Sequence, residues 1–202
     1  TTAIAVTAVM QSAADFGGTG VILLVLLYSV QIYADFTGGI DITIGIAEAM
    51  GIKLAENFDR PFSSKSTKEY WRRWHITMGT GFKDYIFTPF SVTSPVMKLN
   101  KFLSGKIGRR AASKTVAYTA SLLTWFLTGL WHGASWNFVL WGLYFAVLLV
   151  LEKLVWGKWL KKLNGFWRRV YTLPILLISF VIFNAVGEGL LLHDLKGLFG
   201  FG

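Results

Sequence analysis

The feature that most constrains this chain is an uncharged stretch between Lys114 and Glu152, in which one histidine, His132, interrupts strongly apolar sequence. The stretch is far longer than the roughly 20 residues that cross a bilayer core. It therefore predicts two apolar arms, Thr115–Trp131 and Trp136–Leu151, that meet near the histidine, or one span that is broken there. An ionisable side chain at membrane depth is a candidate functional residue. The alternative is a histidine that only hydrogen-bonds to a neighbouring helix.

The composition indicates a membrane protein. Hydrophobic residues make up 53% of the 202 residues, and 9 Trp with 16 Phe exceed what a soluble core of this size usually carries. The mean hydropathy is +0.51. We therefore expect an all-α, polytopic protein. The chain contains no cysteine, which excludes a disulfide framework, a thiolate metal site and a cysteine nucleophile.

The charge pattern predicts the orientation of the chain. A net charge of +9, from 20 Lys and Arg against 11 Asp and Glu, could suggest a nucleic-acid partner, but the basic residues lie in two blocks between apolar stretches. This is the positive-inside pattern, so both blocks are expected on the cytoplasmic face and no nucleic-acid partner is expected. The two arms must then leave that face and return to it, by crossing a thinned bilayer or as a re-entrant pair.

The whole chain, residues 1–202, is interpreted as one partial membrane domain with four parts. Residues 1–52 are predicted to form helices that include a span, 53–114 a cytoplasmic amphipathic basic segment, 115–156 the two histidine-bearing arms, and 157–202 a basic loop and a last span. Because the chain begins at Thr1 in ordinary sequence, we expect an internal or C-terminal part of a longer protein.

The first clear span, Val21–Phe36, becomes polar towards its end and is followed by a second helix, Asp41–Met50. Gly51 is the expected C-terminal cap of that helix. At membrane depth, Asp35 and Asp41 would have to face a cavity or a partner. Alternatively, the helix has emerged into the headgroup region there.

The basic segment contains a capping box, Ser66 with Glu69, which predicts a helix that starts at Thr67. Tryptophan and tyrosine side chains alternate with Lys and Arg along this helix. That composition is typical of an interfacial helix at the lipid headgroups.

Two stretches are predicted to be irregular or broken. Met97–Lys114 is rich in Lys and Arg, and we expect a mobile loop without chemistry there. The last span, Tyr171–Leu192, should be interrupted at Pro174 and Asn184. His193, beyond it, is assigned no role.

Three stretches, in this order and spacing, carry a family resemblance: QIYADFTGGIDITIGIAEAMGIKLAENFDRPF, SSKSTKEYWRRWHITMGTGFKDYIFTPF and LTGLWHGASWNFVLWGLYF. Together they resemble the membrane-bound O-acyltransferase family over roughly residues 30–150. The branch they resemble contains bacterial alginate and peptidoglycan O-acetyltransferases and the D-alanyl transfer protein of teichoic acid synthesis. Members are about twice as long as this chain, so a C-terminal portion is expected.

The chain departs from the pattern of this branch at three places. Ser135 stands where Gly is frequent, Phe145 stands where a second histidine is common, and GTGFKDY replaces the more usual STWFRDY. Both main histidine motifs are present, so the departures concern the choice of acceptor.

The resemblance implies an O-acyltransferase with a helical bundle, including re-entrant or interfacial helices, around a catalytic funnel. It implies that His132 matches the catalytic histidine and His75 the second histidine of the branch. Transfer from a thioester to a hydroxyl needs a base, and neutral imidazole, with an ordinary pKa of about 6.5, suits that task. Direct transfer with His132 as base is the preferred mechanism, and an acyl-histidine intermediate is the alternative. The alternative for His75 is an interfacial histidine without chemistry.

Five further residues are candidates for substrate binding. Trp131, Trp136 and Asn137 could line a tunnel or orient the neighbouring imidazole, or they could be ordinary core residues. Arg72 and Arg73 could attract the phosphates of an anionic donor, or they could hold lipid headgroups.

The resemblance implies an acetyl group as cargo, acetyl-CoA or an acyl carrier protein as donor, and a cell-envelope polysaccharide such as alginate, or a partner protein, as acceptor. D-alanyl transfer from a carrier protein to teichoic acid is the alternative. We expect no bound cofactor and no metal. The expected partners are membrane lipids, the acyl donor and an extracytoplasmic acyltransferase or polysaccharide, and the expected location is the bacterial cytoplasmic membrane.

Two other classes of protein are compatible with the residues. A transporter or flippase could use Asp35, Asp41 and a histidine as a proton relay. A non-catalytic assembly scaffold would use the tryptophans for packing only.

Overall fold

The structure, a computed structural model, describes residues 17–184 and, within them, the side chains of all residues except 17–21 and 24. Every regular element in that range is a helix, which confirms the all-α prediction. His193 and the end of the predicted last span lie outside the described residues. The helices are α1 (Gly17–Ala49), α2 (Thr67–Tyr70), α3 (Ile76–Phe82), α4 (Thr88–Ser91), α5 (Ser94–Ile107), α6 (Arg109–His132), α7 (Trp136–Leu151), α8 (Gly157–Leu160) and α9 (Gly165–Asn184), with a 3₁₀ turn at Pro61–Ser63 and π-helical turns at Lys83–Phe87 and Glu152–Trp156.

Helix α1 is one continuous helix, where the sequence predicted a span and a second helix on either side of Gly38 and Gly39. Both glycines lie inside α1, because glycine weakens a helix without necessarily ending it. The predicted cap at Gly51 is confirmed. Gly51 has φ 80°, its N–H donates to the carbonyl of Glu48, and the N–H of Ile52 donates to the carbonyl of Ala47. This pair of bonds is the Schellman arrangement that glycine favours at a helix C-terminus.

Helices α6 and α7 pack against each other as the two predicted arms, and we call this pair the hairpin. A Cβ atom on Gly129 would overlap the backbone of Phe138, and one on Gly142 would overlap the carbonyl oxygen of Trp125. The two backbones therefore touch where the glycines lie. The sequence predicts a close approach at Gly129, because Gly129 and Gly133 form a small-xxx-small pair. Gly133 ends α6 with φ 155°, a conformation that few residues other than glycine adopt.

The stretch Met97–Lys114 is helical, so the predicted mobile loop is wrong. Helix α5 extends to Ile107 and α6 begins at Arg109, with only Gly108 between them. The Lys and Arg residues that suggested a loop are good helix formers. A proline at the start of α5 also suits the first turn of a helix.

The basic loop predicted at the start of residues 157–202 is also largely helical. Helix α7 continues through a π-helical turn into α8, and α9 follows after a short turn. Pro174 lies inside α9 without interrupting it. Helix α9 packs against α7 at this point, where the Tyr144 hydroxyl donates to the carbonyl of Ile175, next to the proline, at 2.9 Å.

Residues 57–82, which we call the docked segment, are packed into the bundle. The sequence predicted an interfacial helix here, but the aromatic side of α2 is buried in the core. Tyr70 and Trp74 are 2% and 7% exposed, and they pack in one cluster with Trp141 and Phe145 of α7 and with Phe180 of α9. Burial of rings of this size outweighs their preference for the headgroup region, because each removes a large apolar area from water.

Two stretches of the described residues are long and apolar enough to cross a membrane, namely Trp136–Leu160 and Gly165–Asn184. The first includes the second arm of the hairpin, and the second is α9. Several large apolar side chains on them point outward: Leu154, Val155 and Trp159 are each more than half exposed. An apolar surface of this kind is suited to contact with lipid.

Candidate active site

The two predicted histidines, His75 and His132, line one cavity of about 560 Å³. The cavity lies between α1, the docked segment, the hairpin and α9. Its wall is mostly aromatic and contains few polar groups. The other lining residues are Tyr28, Ile32, Asp35, Phe36, Tyr70, Trp71, Trp74, Met78, Trp131, Trp141, Phe145, Ser179, Phe180 and Phe183.

His132 is the last residue of α6, where the glycine at 133 stops the helix. Its imidazole packs edge-to-face against Trp141 and Phe183, with ring centroids 5.0 and 5.1 Å away. The Nε2 atom is buried and forms no hydrogen bond within the described part of the chain. Buried polar atoms are nearly always paired. An unpaired ring nitrogen in a cavity wall is therefore suited to bind a substrate atom or to accept a proton.

His75 reaches the same cavity from the docked segment, at the N-terminal boundary of α3. Its backbone is left-handed, with φ 47° and ψ 55°. Its ring packs edge-to-face on Phe36, with centroids 4.8 Å apart, and its Nδ1 lies 3.1 Å from Oδ1 of Asn57. Burial lowers the pKa of His75 below the ordinary 6.5, because the charged ring would lose contact with water. The imidazole is therefore neutral at neutral pH.

Trp131 lies between the two histidines. Its ring centroid is 6.5 Å from that of His75 and 4.9 Å from that of His132. The structure thus brings these three predicted site residues together in the wall of the cavity.

Comparison with known proteins identifies the family of the chain. Residues 2–192 match the family model described as MBOAT, membrane-bound O-acyltransferase family. The chain belongs to this family. Among the described residues of this family member, no group of three or more His, Cys, Asp or Glu side chains could hold a metal ion.

Curated relatives of this O-acyltransferase family member come from several bacteria. The probable alginate O-acetylase AlgI of Azotobacter vinelandii is 30% identical over 177 residues, which are 88% of this chain and 32% of the relative. The peptidoglycan O-acetyltransferase of Helicobacter pylori is 29% identical over 86% of this chain and 28% of the relative. The teichoic acid D-alanyltransferase of Bacillus subtilis is 35% identical over 71% of this chain and 33% of the relative. The chain spans about a third of the length of these relatives, less than the half that the resemblance implied.

The two predicted donor-binding arginines of this family member lie in different surroundings. Arg72 is exposed and lines a neighbouring cavity of about 620 Å³, together with Lys68 and Lys83. Arg73 is turned away and forms ion pairs with Glu69 at 2.9 Å and Asp59 at 3.8 Å. Its guanidinium also donates to the hydroxyl of Ser63 and to the carbonyl of Asp59. Arg72 is therefore able to bind an anion, whereas the guanidinium of Arg73 is already paired with residues of the docked segment.

Trp136 and Asn137, the other two predicted site residues, lie outside the wall of the histidine cavity. Trp136 is 69% exposed. Asn137 is buried, and its Nδ2 donates to the backbone carbonyl of Phe183 at 2.7 Å. Since the ring of Phe183 packs on His132, Asn137 can influence the imidazole only through that ring.

Of the two acids predicted to face a cavity or a partner, only Asp35 lines the histidine cavity. Gln31, one turn earlier on α1, donates to its carboxylate at 3.4 Å. Asp41 is exposed and lines none of the three cavities described for this part of the chain.

Sequence reasoning missed two buried polar residues: Asn57, which forms hydrogen bonds within the docked segment, and Glu152, which anchors the segment from outside. Asn57 contacts His75, and Glu152, in the π-helical turn after α7, accepts from the backbone N–H groups of Thr67 and Lys68 at 2.8 and 3.4 Å. The Tyr171 hydroxyl donates to the same Glu152 carboxylate at 3.3 Å. An acid at the N-terminus of α2 also suits the partial positive charge there. In the sequence, the one sign that Glu152 has a special position is that it directly follows the uncharged stretch.

Proposed function

We propose that this chain carries the reaction centre of a membrane-embedded acyltransferase. It would move an acyl group, in the first instance acetyl, from a cytoplasmic thioester donor to a hydroxyl group of an extracytoplasmic envelope polysaccharide or partner protein. One observation carries the proposal: in a member of the O-acyltransferase family, the two histidines of the family pattern converge on one aromatic cavity.

His132 is the proposed general base. Its Nε2 takes the proton from the acceptor hydroxyl while that oxygen attacks the thioester carbonyl carbon. The carbon–sulfur bond then breaks, an ester forms, and the thiolate leaves with the proton that the imidazolium returns. Nε2 suits this task because it is buried in the cavity wall without a hydrogen-bond partner among the described residues. In the alternative mechanism, Nε2 itself attacks the carbonyl and an acyl-histidine forms before the hydroxyl attacks.

His75 is proposed to position the thioester at the donor side of the cavity. It belongs to the docked segment, which also carries Arg72 and Lys83 around the neighbouring cavity. Met78 lines both cavities, so the two spaces adjoin. An anionic donor such as coenzyme A or a phosphopantetheine-bearing carrier could bind its phosphates at the cations while its thioester arm reaches the histidines.

D-alanyl transfer to teichoic acid is the second candidate. It is favoured by the 35% identity to the teichoic acid D-alanyltransferase of Bacillus subtilis. Both reactions move an acyl group from a thioester to a hydroxyl, so the same residues would serve either one. Donor and acceptor would distinguish them. The proposed location of the whole protein is the bacterial cytoplasmic membrane, crossed several times.

Mass spectrometry of envelope polymers tests the proposal. Cells with the intact gene should carry acetyl or D-alanyl esters, and cells with His132→Gln should lose them. His193→Gln is the matched control, because it removes a histidine to which no role is assigned, and it should leave the esters in place. Full modification in the His132→Gln cells would indicate an assembly scaffold. Solute uptake without any acyl donor would indicate a transporter.

A further inference from the structure

The histidine of the docked segment is held by one buried side chain. Asn57 is 8% exposed, and three groups of the docked segment converge on its Oδ1 atom. The backbone N–H of Thr77 lies 3.1 Å from this oxygen, the hydroxyl of Thr77 lies 2.7 Å away, and Nδ1 of His75 lies 3.1 Å away.

These contacts determine which atom of the amide is the oxygen. A backbone N–H can only donate, so the amide atom that faces Thr77 must be the acceptor, Oδ1. An amide oxygen cannot donate, so Nδ1 of His75 must carry the hydrogen of the bond to Asn57. In the neutral ring the other nitrogen, Nε2, then has the lone pair.

The backbone of residues 57–59 binds the residues on either side of His75. The carbonyl of Asn57 accepts from the N–H of Ile76 at 3.0 Å, and the N–H of Asp59 donates to the carbonyl of Arg73 at 2.9 Å. His75 between them has a left-handed backbone with φ 47°, which is uncommon for a residue other than glycine and persists only where the surroundings enforce it. The bonds from residues 57–59 provide that enforcement.

Two rings complete the surroundings of His75. Phe58, next to Asn57 in the chain, is stacked on the imidazole with centroids 6.4 Å apart, and Phe36 of α1 packs edge-to-face against it. The rings cover part of the imidazole, and this partial burial favours its neutral form. Only a neutral ring has a choice of tautomer. In the neutral ring of His75, the bond to Asn57 therefore determines which nitrogen carries the hydrogen.

We propose that Asn57 is a positioning residue of the transfer reaction: its Oδ1 fixes His75 as the Nδ1–H tautomer and leaves Nε2 as the lone-pair nitrogen of a ring in the cavity wall. The functional half of this statement rests on the proposed acyl transfer. The tautomer itself does not depend on it. Asn57 acts only through His75, since it does not line the cavity.

¹⁵N NMR of histidine-labelled intact protein in detergent tests the tautomer directly. The signals of His75 are assigned by their loss in His75→Gln. We expect the Nδ1–H tautomer in the parent protein and in Asn57→Asp, which keeps an acceptor oxygen. We expect a change towards Nε2–H in Asn57→Leu, which has similar volume but no acceptor. A parent protein with Nε2–H at His75 would overturn the proposal.

Kinetics test the consequence for transfer. Asn57→Leu should lower kcat/KM for the donor at least about tenfold, the same loss that we expect for His75→Gln, and combining the two changes should cause no further loss. Asn57→Asp should restore most of the activity. An additive loss in the double variant would mean that Asn57 acts by stabilising the fold, and the proposal would be wrong.

Thr77→Val is the matched control. It removes one hydrogen bond to the same oxygen and keeps the bonds from the Thr77 N–H and from His75. Its kcat/KM should stay within about twofold of the parent value, and an equal loss in Thr77→Val and Asn57→Leu would refute the positioning role. If the intact protein transfers no acyl group at all, the proposed function fails, and the NMR result still decides the tautomer.

Discussion

The hairpin and the docked segment each bring one histidine to the cavity, and the two histidine side chains are held there in different ways. The hairpin is held by close packing: its backbones touch at Gly129 and Gly142, and the ring of His132 contacts mainly aromatic rings. The docked segment also packs through buried rings, but its histidine is fixed by a hydrogen bond to Asn57 within the segment, and its helix α2 donates hydrogen bonds to the buried carboxylate of Glu152.

This difference matches the tasks proposed for the two histidines. A base that takes up and returns a proton needs a ring nitrogen without a protein partner, and among residues 17–184 apolar packing leaves Nε2 of His132 unpaired. A residue that positions a substrate needs a defined tautomer and a fixed backbone, and directional bonds supply both for His75. Apolar packing thus suits His132 to act as a base, and hydrogen bonding suits His75 to position a substrate, on two sides of one cavity.

The largest expected effect comes from the hairpin histidine. His132→Gln should lower kcat by about 10² to 10⁴, the usual contribution of a general base, while the protein still inserts at parental levels. His75→Gln should act mainly on kcat/KM for the donor. Steady-state kinetics of the purified full-length protein, with membrane content measured by immunoblot, check both. If the His132→Gln variant kept an activity within a few-fold of the parent value, His132 would not be the general base.

The next effect concerns the packing of the hairpin. In Gly142→Val, the new side chain would overlap the carbonyl oxygen of Trp125, so the helices must separate. We expect a loss of about 1 to 3 kcal/mol in the free energy of unfolding, typical of overpacking. Thermal unfolding in detergent measures it. Gly45→Val is the control, because no heavy atom lies within 4 Å of a Cβ there, and it should cost clearly less. Equal losses in the two variants would contradict the close approach.

A smaller effect is expected at the anchor of the docked segment. Glu152→Gln keeps an acceptor for the N–H groups at the start of α2 but loses the charge that strengthens those bonds. Hydrogen bonds to charged groups contribute about 1.5 to 3 kcal/mol, so a loss of about 1 kcal/mol is expected, and a larger one in Glu152→Ala. Proteolysis of the docked segment under native conditions should become faster in the same order. Unchanged proteolysis in Glu152→Ala would show that the carboxylate does not anchor the segment.

The same two regions differ in how far the sequence predicts them. The hairpin follows from composition and from small residues at helical spacing, so its two arms and the close approach at Gly129 could be predicted. The anchors of the docked segment could not be predicted, because their partners are distant in the chain: Glu152 contacts Thr67 across 85 positions, and His75 contacts Asn57 across 18. A local pattern cannot reveal such pairs. Local composition also misled at Met97–Lys114, where the frequent Lys and Arg residues belong to the adjoining ends of helices α5 and α6.

The smallest expected effect separates two adjacent arginines of the docked segment. Arg72 forms no ion pair among the described residues and lines the cavity that adjoins the histidines, whereas Arg73 is paired with Glu69 and Asp59. If the exposed cations attract the phosphates of the donor, Arg72→Gln should raise the apparent KM for the donor. The rise should be greater at low salt, where the attraction in the parent protein is least screened.

Arg73→Gln serves as the matched control for Arg72→Gln, because it removes the same charge one residue away. Its partners already neutralise that charge, so the KM for the donor should stay near the parent value. Because Arg73 and Glu69 are only partly exposed, loss of the pair should lower the free energy of unfolding by about 1 kcal/mol, which thermal unfolding would register as a small shift. If both cations only held lipid headgroups, membrane content would fall in both variants and the KM of the remaining protein would be normal. A salt-dependent rise of KM in Arg72→Gln alone would therefore indicate that the donor phosphates bind next to Arg72, in the cavity that adjoins the histidines.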